Sequence, residues 1–156
     1  MKITLLAVGR VMPSPIRDLV EEYRERLHHF VPTRVECVAE EKRDKGMTPR
    51  QAMEREGQRL LARIPPGALV VALDASGRTL SSPELSRQMD HWLQDACSEL
   101  VLLIGGPDGL DPAVKSAAAF ILSLGPMTYP HMLVRVLILE QLYRAMTLLR
   151  GVPYHR

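Results

Sequence analysis

Three stretches of the chain join residues that do chemistry to residues that let backbone come close to a ligand: LDASG (73–77), IGGPDG (104–109) and LGPMTYPH (124–131). Glycine and proline make such loops approachable and rigid at once. A fourth group closes the chain. Tyr154, His155 and Arg156 are a stacking ring, a proton carrier and a ligand for phosphate or base edges, the set with which a nucleotide site works. A free terminus is ordinarily disordered unless something holds it, so this tail needs a partner surface to act.

Elimination narrows what the loops hold. A GxxxxGK[ST] phosphate cradle needs a lysine and a hydroxyl after its last glycine, whereas Gly109 is followed by Leu110 and Asp111. The GxGxxG dinucleotide pattern is missing too, and Asp108 repels phosphate. The loop suits a ligand with an adenine, a ribose and a positive centre, held by backbone groups and apolar walls. Histidines 28, 29, 91, 131 and 155 lack metal-ligand spacing and no GxSxG nucleophile occurs, so no metal is expected. His28 and His29 suit a helix C-terminus, where partial positive charge is favourable. Glu140 lies on an apolar helix and needs a partner there, with Arg144 one turn away. Cys37 and Cys97 stand far apart without a CxxC pattern and read as reduced core residues.

Elements that position these groups follow from apolar spacing. Lys2 to Val8 is a strand, and Ile16, Leu19, Val20, Tyr23 and Leu27 share one face of a helix from about Pro15 to His28. Arg34 to Val38 is a weaker strand. Thr48, Pro49 and Gln51 form a helix start with a capping box, and Met53, Leu60, Leu61 and Ile64 supply that helix's buried face. Ala68 to Leu73 is the continuous apolar run of a parallel strand covered on both faces, with 74–77 the turn after it. A helix opening at Ser82-Pro83 buries Leu85, Met89, Trp92 and Leu93, and Leu100 to Ile104 is a fourth strand. Asp111-Pro112 opens a short helix, Phe120 to Leu124 is a fifth strand, and a long helix runs from about Met132 to Leu149. The order predicts an α/β fold, a mainly parallel sheet flanked by helices in one domain, with the three loops at strand carboxyl ends where such sheets bind ligands. The last helix is apolar almost all round, which predicts that part of it packs against a second subunit.

The totals agree with a single core. The chain has 156 residues, 46% hydrophobic and 24% charged, with a net charge of +2. It lacks a membrane span and opens with a strand instead of a signal peptide, so a cytoplasmic location is expected. Lys42, Arg43, Lys45, Arg50, Arg55, Arg59 and Arg63 outnumber Asp44, Glu54 and Glu56, which reads equally as an RNA contact or as a solvated face of paired charges.

The segments LLIGGPDGL, SLGPMTYPHMLVRVLILEQLYRA and the terminal PYHR resemble the RlmH family, SPOUT-class methyltransferases that act on a pseudouridine of large-subunit ribosomal RNA. LLAVGR, YRERL, EKR, EGQRLL and LDASGR extend the likeness along the whole chain in the family's order. The resemblance implies a C-terminal trefoil knot, an exception to the rule of unknotted chains, and a homodimer that takes S-adenosylmethionine as cofactor. By position it assigns Leu73, Gly105, Leu124, Gly125, Pro126, Met127, Thr128 and Tyr129 to the cofactor. Tyr129 stands where the family more often has an aliphatic residue, and Gly125 where serine is common.

The implied reaction is methylation of N3 of pseudouridine in 23S rRNA of the assembled ribosome. That nitrogen is a poor nucleophile until its proton is removed or shared. His131, Arg135, Arg144, Tyr154, His155 and Arg156 are the catalytic candidates within the matching motifs. His155 or His131 handles the proton, Tyr154 stacks or positions, and the arginines meet developing imide charge and RNA phosphates. The family's dimeric arrangement implies that one subunit's tail completes the other's pocket. Two rival readings use the same loops: a SPOUT enzyme for another RNA such as tRNA, and a non-catalytic nucleotide- or RNA-binding module.

Overall fold

The computed structural model describes residues 1–43, 46–95 and 97–155. Five parallel strands lie in the order β2-β1-β4-β3-β5: β1 Lys2–Val8, β2 Thr33–Val38, β3 Leu69–Thr79, β4 Glu99–Ile104 and β5 Phe120–Ser123. The helices are α1 Ser14–His28, α2 Pro49–Leu61, α3 Ser82–Gln94, α4 Pro112–Ala117 and α5 His131–Leu149. Alternate residues of the central strands face opposite layers. Leu100, Leu102 and Ile104 of β4 join Met89, Trp92, Ile138 and Leu142 beneath the helices of one face, while Val101 and Leu103 join Leu60 and Val114 beneath those of the other. Every residue of β4 is buried, with Glu99 paired to Lys2 and Arg34 and Leu100 to Ile104 reading as an unbroken apolar run.

Local chemistry sets the helix starts. Thr48 and Gln51 form the expected capping box, and Ser81 and Glu84 form a second, so the cap of α3 precedes Ser82 by one residue. Asp111 caps α4 by accepting from the Ala113 N–H at 2.8 Å. His28 and His29 do fall at the end of α1, where the Thr33 N–H donates to His28 Nδ1 at 3.0 Å.

Two expectations are corrected. The fully buried residues of α2 are Ala52, Glu56, Gly57 and Leu60; Met53, Leu61 and Ile64 are only partly covered. Close packing of α4 is the reason: a Cβ on Gly57 would stand 2.8 Å from the Asp111 Cβ. The 74–77 turn does not end its strand. β3 runs on to Thr79 with a bulge, and Leu73 and Arg78 both pair with Leu122. Gly77 permits this, since a Cβ there would lie 2.6 Å from the Ile121 carbonyl oxygen.

α5 packs against α1, α3 and β4 and buries Ile138, Leu139, Leu142, Ala145 and Met146. Leu133 and Leu137 stay 39% and 37% exposed, and nearby in sequence Met127 is 68% exposed, so the chain leaves apolar surface on this side uncovered. Cys37 and Cys97 are free and half-buried. Among the described residues no helix is long and apolar enough to cross a membrane.

Candidate functional site

The three glycine- and proline-containing loops converge at the carboxyl ends of β3, β4 and β5. A cleft of about 700 Å³ is lined by Leu73, Asp74 and Ala75, by Ile104 to Gly109, and by Thr128 to His131 with Val134. A smaller cavity of about 170 Å³ adjoins it and adds Leu122, Leu124, Gly125 and Met127 while sharing Leu73, Asp74 and Tyr129. Seven of the eight cofactor candidates therefore line one site; Pro126, exposed, stands between Gly125 and Met127. Glycine is required at position 105, because a Cβ there would meet the Gly109 carbonyl at 2.5 Å. Gly109 and Gly125 hold φ of +93° and +113°, which turns their loops sharply at the cleft. The walls combine backbone and apolar side chains with the polar groups of Asp74, Asp108, Thr128, Tyr129 and His131, and among the described residues neither cavity is lined by lysine or arginine. Such a lining fits adenosine and a cationic thioether derivative, and it does not fit a polyphosphate.

His131 opens α5 at the mouth of the cleft. Its Nε2 is buried without a hydrogen-bond partner and lies 3.9 Å from a Glu40 carboxylate oxygen. Burial depresses the imidazole's pKa, Arg135 adds to this and Glu40 opposes it, so the ring is neutral at physiological pH and able to accept a proton. Arg135 is fully buried. Its guanidinium donates to the carbonyls of Val8 at 2.5 Å and Gly9 at 2.9 Å and reaches the Cys37 Sγ at 3.5 Å, which ties the first turns of α5 to the end of β1. Within this chain Arg135 meets the end of β1 and Cys37 and does not line the cleft.

The remaining candidates gather elsewhere. Tyr154 donates to Glu140 Oε1 at 3.1 Å, packs edge-on to Tyr143 with 4.8 Å between ring centroids, and lies under the Arg144 guanidinium at 4.7 Å. Arg144 also donates through Nε to Glu140 at 3.0 Å, the expected one-turn pair. Burial, then hydrogen bonding with Tyr23 and Glu140, raises the Tyr154 phenol's pKa, so it remains protonated. His155 is exposed and Arg156 lies outside the described residues. Ten residues of helix separate Val134 in the cleft from Arg144, about 15 Å along the axis. One chain thus splits the candidates into a cleft group and a tail group.

Sequence reasoning missed two acids. Glu56 is 4% exposed; it accepts from the Glu41 N–H at 2.9 Å, and a Cβ added at Gly106 would lie 2.8 Å from its other oxygen. Its only signal was an acid on the apolar side of α2. Asp74 sits in the cleft wall and was read as part of a turn. In the basic segment, Arg50 pairs with Glu54, Arg55 and Arg59 with Glu41, Arg63 with Glu36, and Arg43 with Asp108 of the glycine loop. The five arginines are therefore each paired with an acid; Asp44 and Lys45 lie outside the described residues.

Fold and site together define a parallel α/β protein with a cleft of glycine-turned loops whose lining fits an adenosine-class ligand. Comparison with known proteins gives the narrower statement. The family model described as predicted SPOUT methyltransferase matches residues 1–155, and the chain belongs to that family. A protein of Stenotrophomonas maltophilia named ribosomal RNA large subunit methyltransferase H is 45% identical over all 156 residues, covering 99% of its own length. One of the same name from Thioalkalivibrio sulfidiphilus matches to the same extent. Among solved structures, a probable methylase family protein of Haemophilus influenzae aligns with a TM-score of 0.56 at 10% identity, over 99% of this chain and 70% of that one. A putative methyltransferase of Legionella pneumophila, solved with the bound cofactor SAM, aligns with a TM-score of 0.54 at 18% identity, over 93% of this chain and 66% of that one. These two likenesses are of fold.

Proposed function

We propose that this protein transfers the methyl group of S-adenosylmethionine to a base of large-subunit ribosomal RNA, and that the target atom is N3 of a pseudouridine in the assembled ribosome. The observation that carries the reading is the cleft: loops of a chain aligned over its whole length with proteins named as large-subunit ribosomal RNA methyltransferases converge on a lining suited to adenosine and a cation. Leu73, Gly105 and the 124–129 segment would hold the cofactor, which supplies an electrophilic methyl group. Its adenine would lie against leucine and backbone, as a neutral aromatic ring prefers.

The chain's own groups prepare the nucleophile. His131, neutral and at the mouth of the cleft, accepts the N3 proton as the base is brought up, leaving an imide nitrogen with a free electron pair. Arg135 is a positioning residue in this scheme, since it fixes the turn that carries His131. Tyr154, His155 and Arg156 act from a second subunit, whose tail reaches this cleft, while the chain's own Tyr154 is held further along α5 on Glu140 and Tyr143. His155 is the alternative proton acceptor in that arrangement. The exposed Leu133, Leu137 and Met127 support a homodimer because an apolar surface next to a cleft is the kind that subunits cover. The return of the chain from edge strand β5 to α5, over the middle of the sheet, is read as the trefoil knot that the family resemblance implies. A cytoplasmic location follows from a ribosomal substrate.

Labelled S-adenosylmethionine and assembled ribosomes lacking the modification test this directly. N3-methylpseudouridine in the digested 23S rRNA is the expected product. Transfer to tRNA in preference to ribosomes would replace the substrate, and cofactor binding without any transfer would leave a binding module.

A further inference from the structure

Asp74 lines both the large cleft and the smaller cavity beside it. Its side chain is 18% exposed. Oδ1 accepts from the Ser76 N–H at 2.9 Å and from the Ser76 hydroxyl at 2.5 Å, which fixes the carboxylate within the β3 bulge. Oδ2 has one long contact, to Lys115 Nζ at 3.4 Å. Burial works against the charge, yet Ser76 and Lys115 outweigh it and hold the carboxyl below the usual aspartate range. Asp108, the other acid of the cleft, is paired with Arg43. Of the two acids in the wall, Asp74 is therefore the one held within it by its own turn and only loosely paired, while Asp108 is drawn to Arg43.

We propose that Asp74 is a specificity-determining residue that recognises the positive sulfonium centre of the methyl donor and so separates donor from its neutral demethylated product. The inference rests on the cofactor reading above. A carboxylate in a partly dry wall attracts a cation far more than it does in water, while a neutral thioether gains nothing from it. Methyl transfer removes the sulfonium charge, so the same carboxylate that holds the donor loses its hold on the product. Lys115 moderates this attraction from α4, which keeps the donor from being overstabilised before reaction.

Calorimetric titration of the full-length protein decides the matter with three ligands: S-adenosylmethionine, sinefungin, which carries an ammonium near the sulfonium position, and S-adenosylhomocysteine, which is neutral there. Asp74→Asn keeps an oxygen for the Ser76 turn and removes the charge. It is expected to weaken the two cationic ligands by about tenfold and to leave the homocysteine compound within about twofold. Equal losses for all three would place the carboxylate on a part they share and overturn the proposal, as would no loss for any. Lys115→Met leaves Asp74 and its turn in place and is expected to increase the preference for the cationic ligands; an unchanged or smaller preference overturns it. Wild-type protein that binds none of the three would instead remove the cofactor reading itself.

Discussion

Single side chains in this site are governed by how burial treats their charge. His131 is held below the ordinary histidine range by desolvation and by Arg135. In the proposed role of N3-proton acceptor it must be neutral, so the transfer rate of the wild type should stay flat from neutral pH down past the ordinary histidine pKa before it falls. His131→Ala is expected to lower single-turnover rate by about 100-fold and to remove that acidic limb, with cofactor affinity retained. Glu56 is raised above the ordinary glutamate range, first by desolvation, then by Glu40 and Asp108, with the Glu41 N–H and Arg43 opposing. The folded protein keeps this proton to a higher pH than the unfolded chain does, so the residue costs stability as pH rises above the ordinary glutamate value. Glu56→Gln should raise Tm at pH 8 and change it little at pH 4, as scanning calorimetry across that range will read.

At the level of elements, the site depends on how β3 and α5 are fixed to their neighbours. The bulge at 74–77 presents Asp74 to the cleft only because Gly77 lets the backbone of β5 approach. Gly77→Ala forces those strands apart and should weaken cofactor binding and stability together. Arg135 satisfies two buried carbonyls at the end of β1. Arg135→Met leaves both without a donor and is expected to cost about 3 kcal/mol in urea denaturation. Transfer by that variant should fall further than its cofactor affinity, because the turn bearing His131 loses its anchor.

Across the whole molecule, one feature of geometry dominates: the tail group of candidates and the cleft lie at opposite halves of α5. In the proposed homodimer, the tail of a second subunit would resolve this separation. Leu133→Asp combined with Leu137→Asp should convert a dimer to monomer in sedimentation equilibrium and abolish transfer. Mixing two inactive variants, one lacking the residues after Pro153 and one carrying His131→Ala, should restore activity in mixed dimers if His131 and the tail act across subunits. Continued inactivity of re-formed mixed dimers would place both in one chain's own site.

Much of this protein was legible before any coordinates. Five strands and five helices follow from apolar spacing and from Thr48, Asp111 and the prolines that start helices, because those signals act within a few residues. The three loops that line the cleft were visible as well, since glycine and proline where backbone must turn or be approached leave a compositional mark. What tertiary structure alone decided is which groups meet across long sequence separations. Arg135 finds the carbonyls of Val8 and Gly9, Tyr154 finds Glu140, and Asp74 turns from a loop residue into the charged wall of a cleft. Charge and shape in a single chain do not encode such meetings locally. They arise when a parallel sheet brings the ends of β1, β3, β4 and β5 to one edge and a long helix is laid across them.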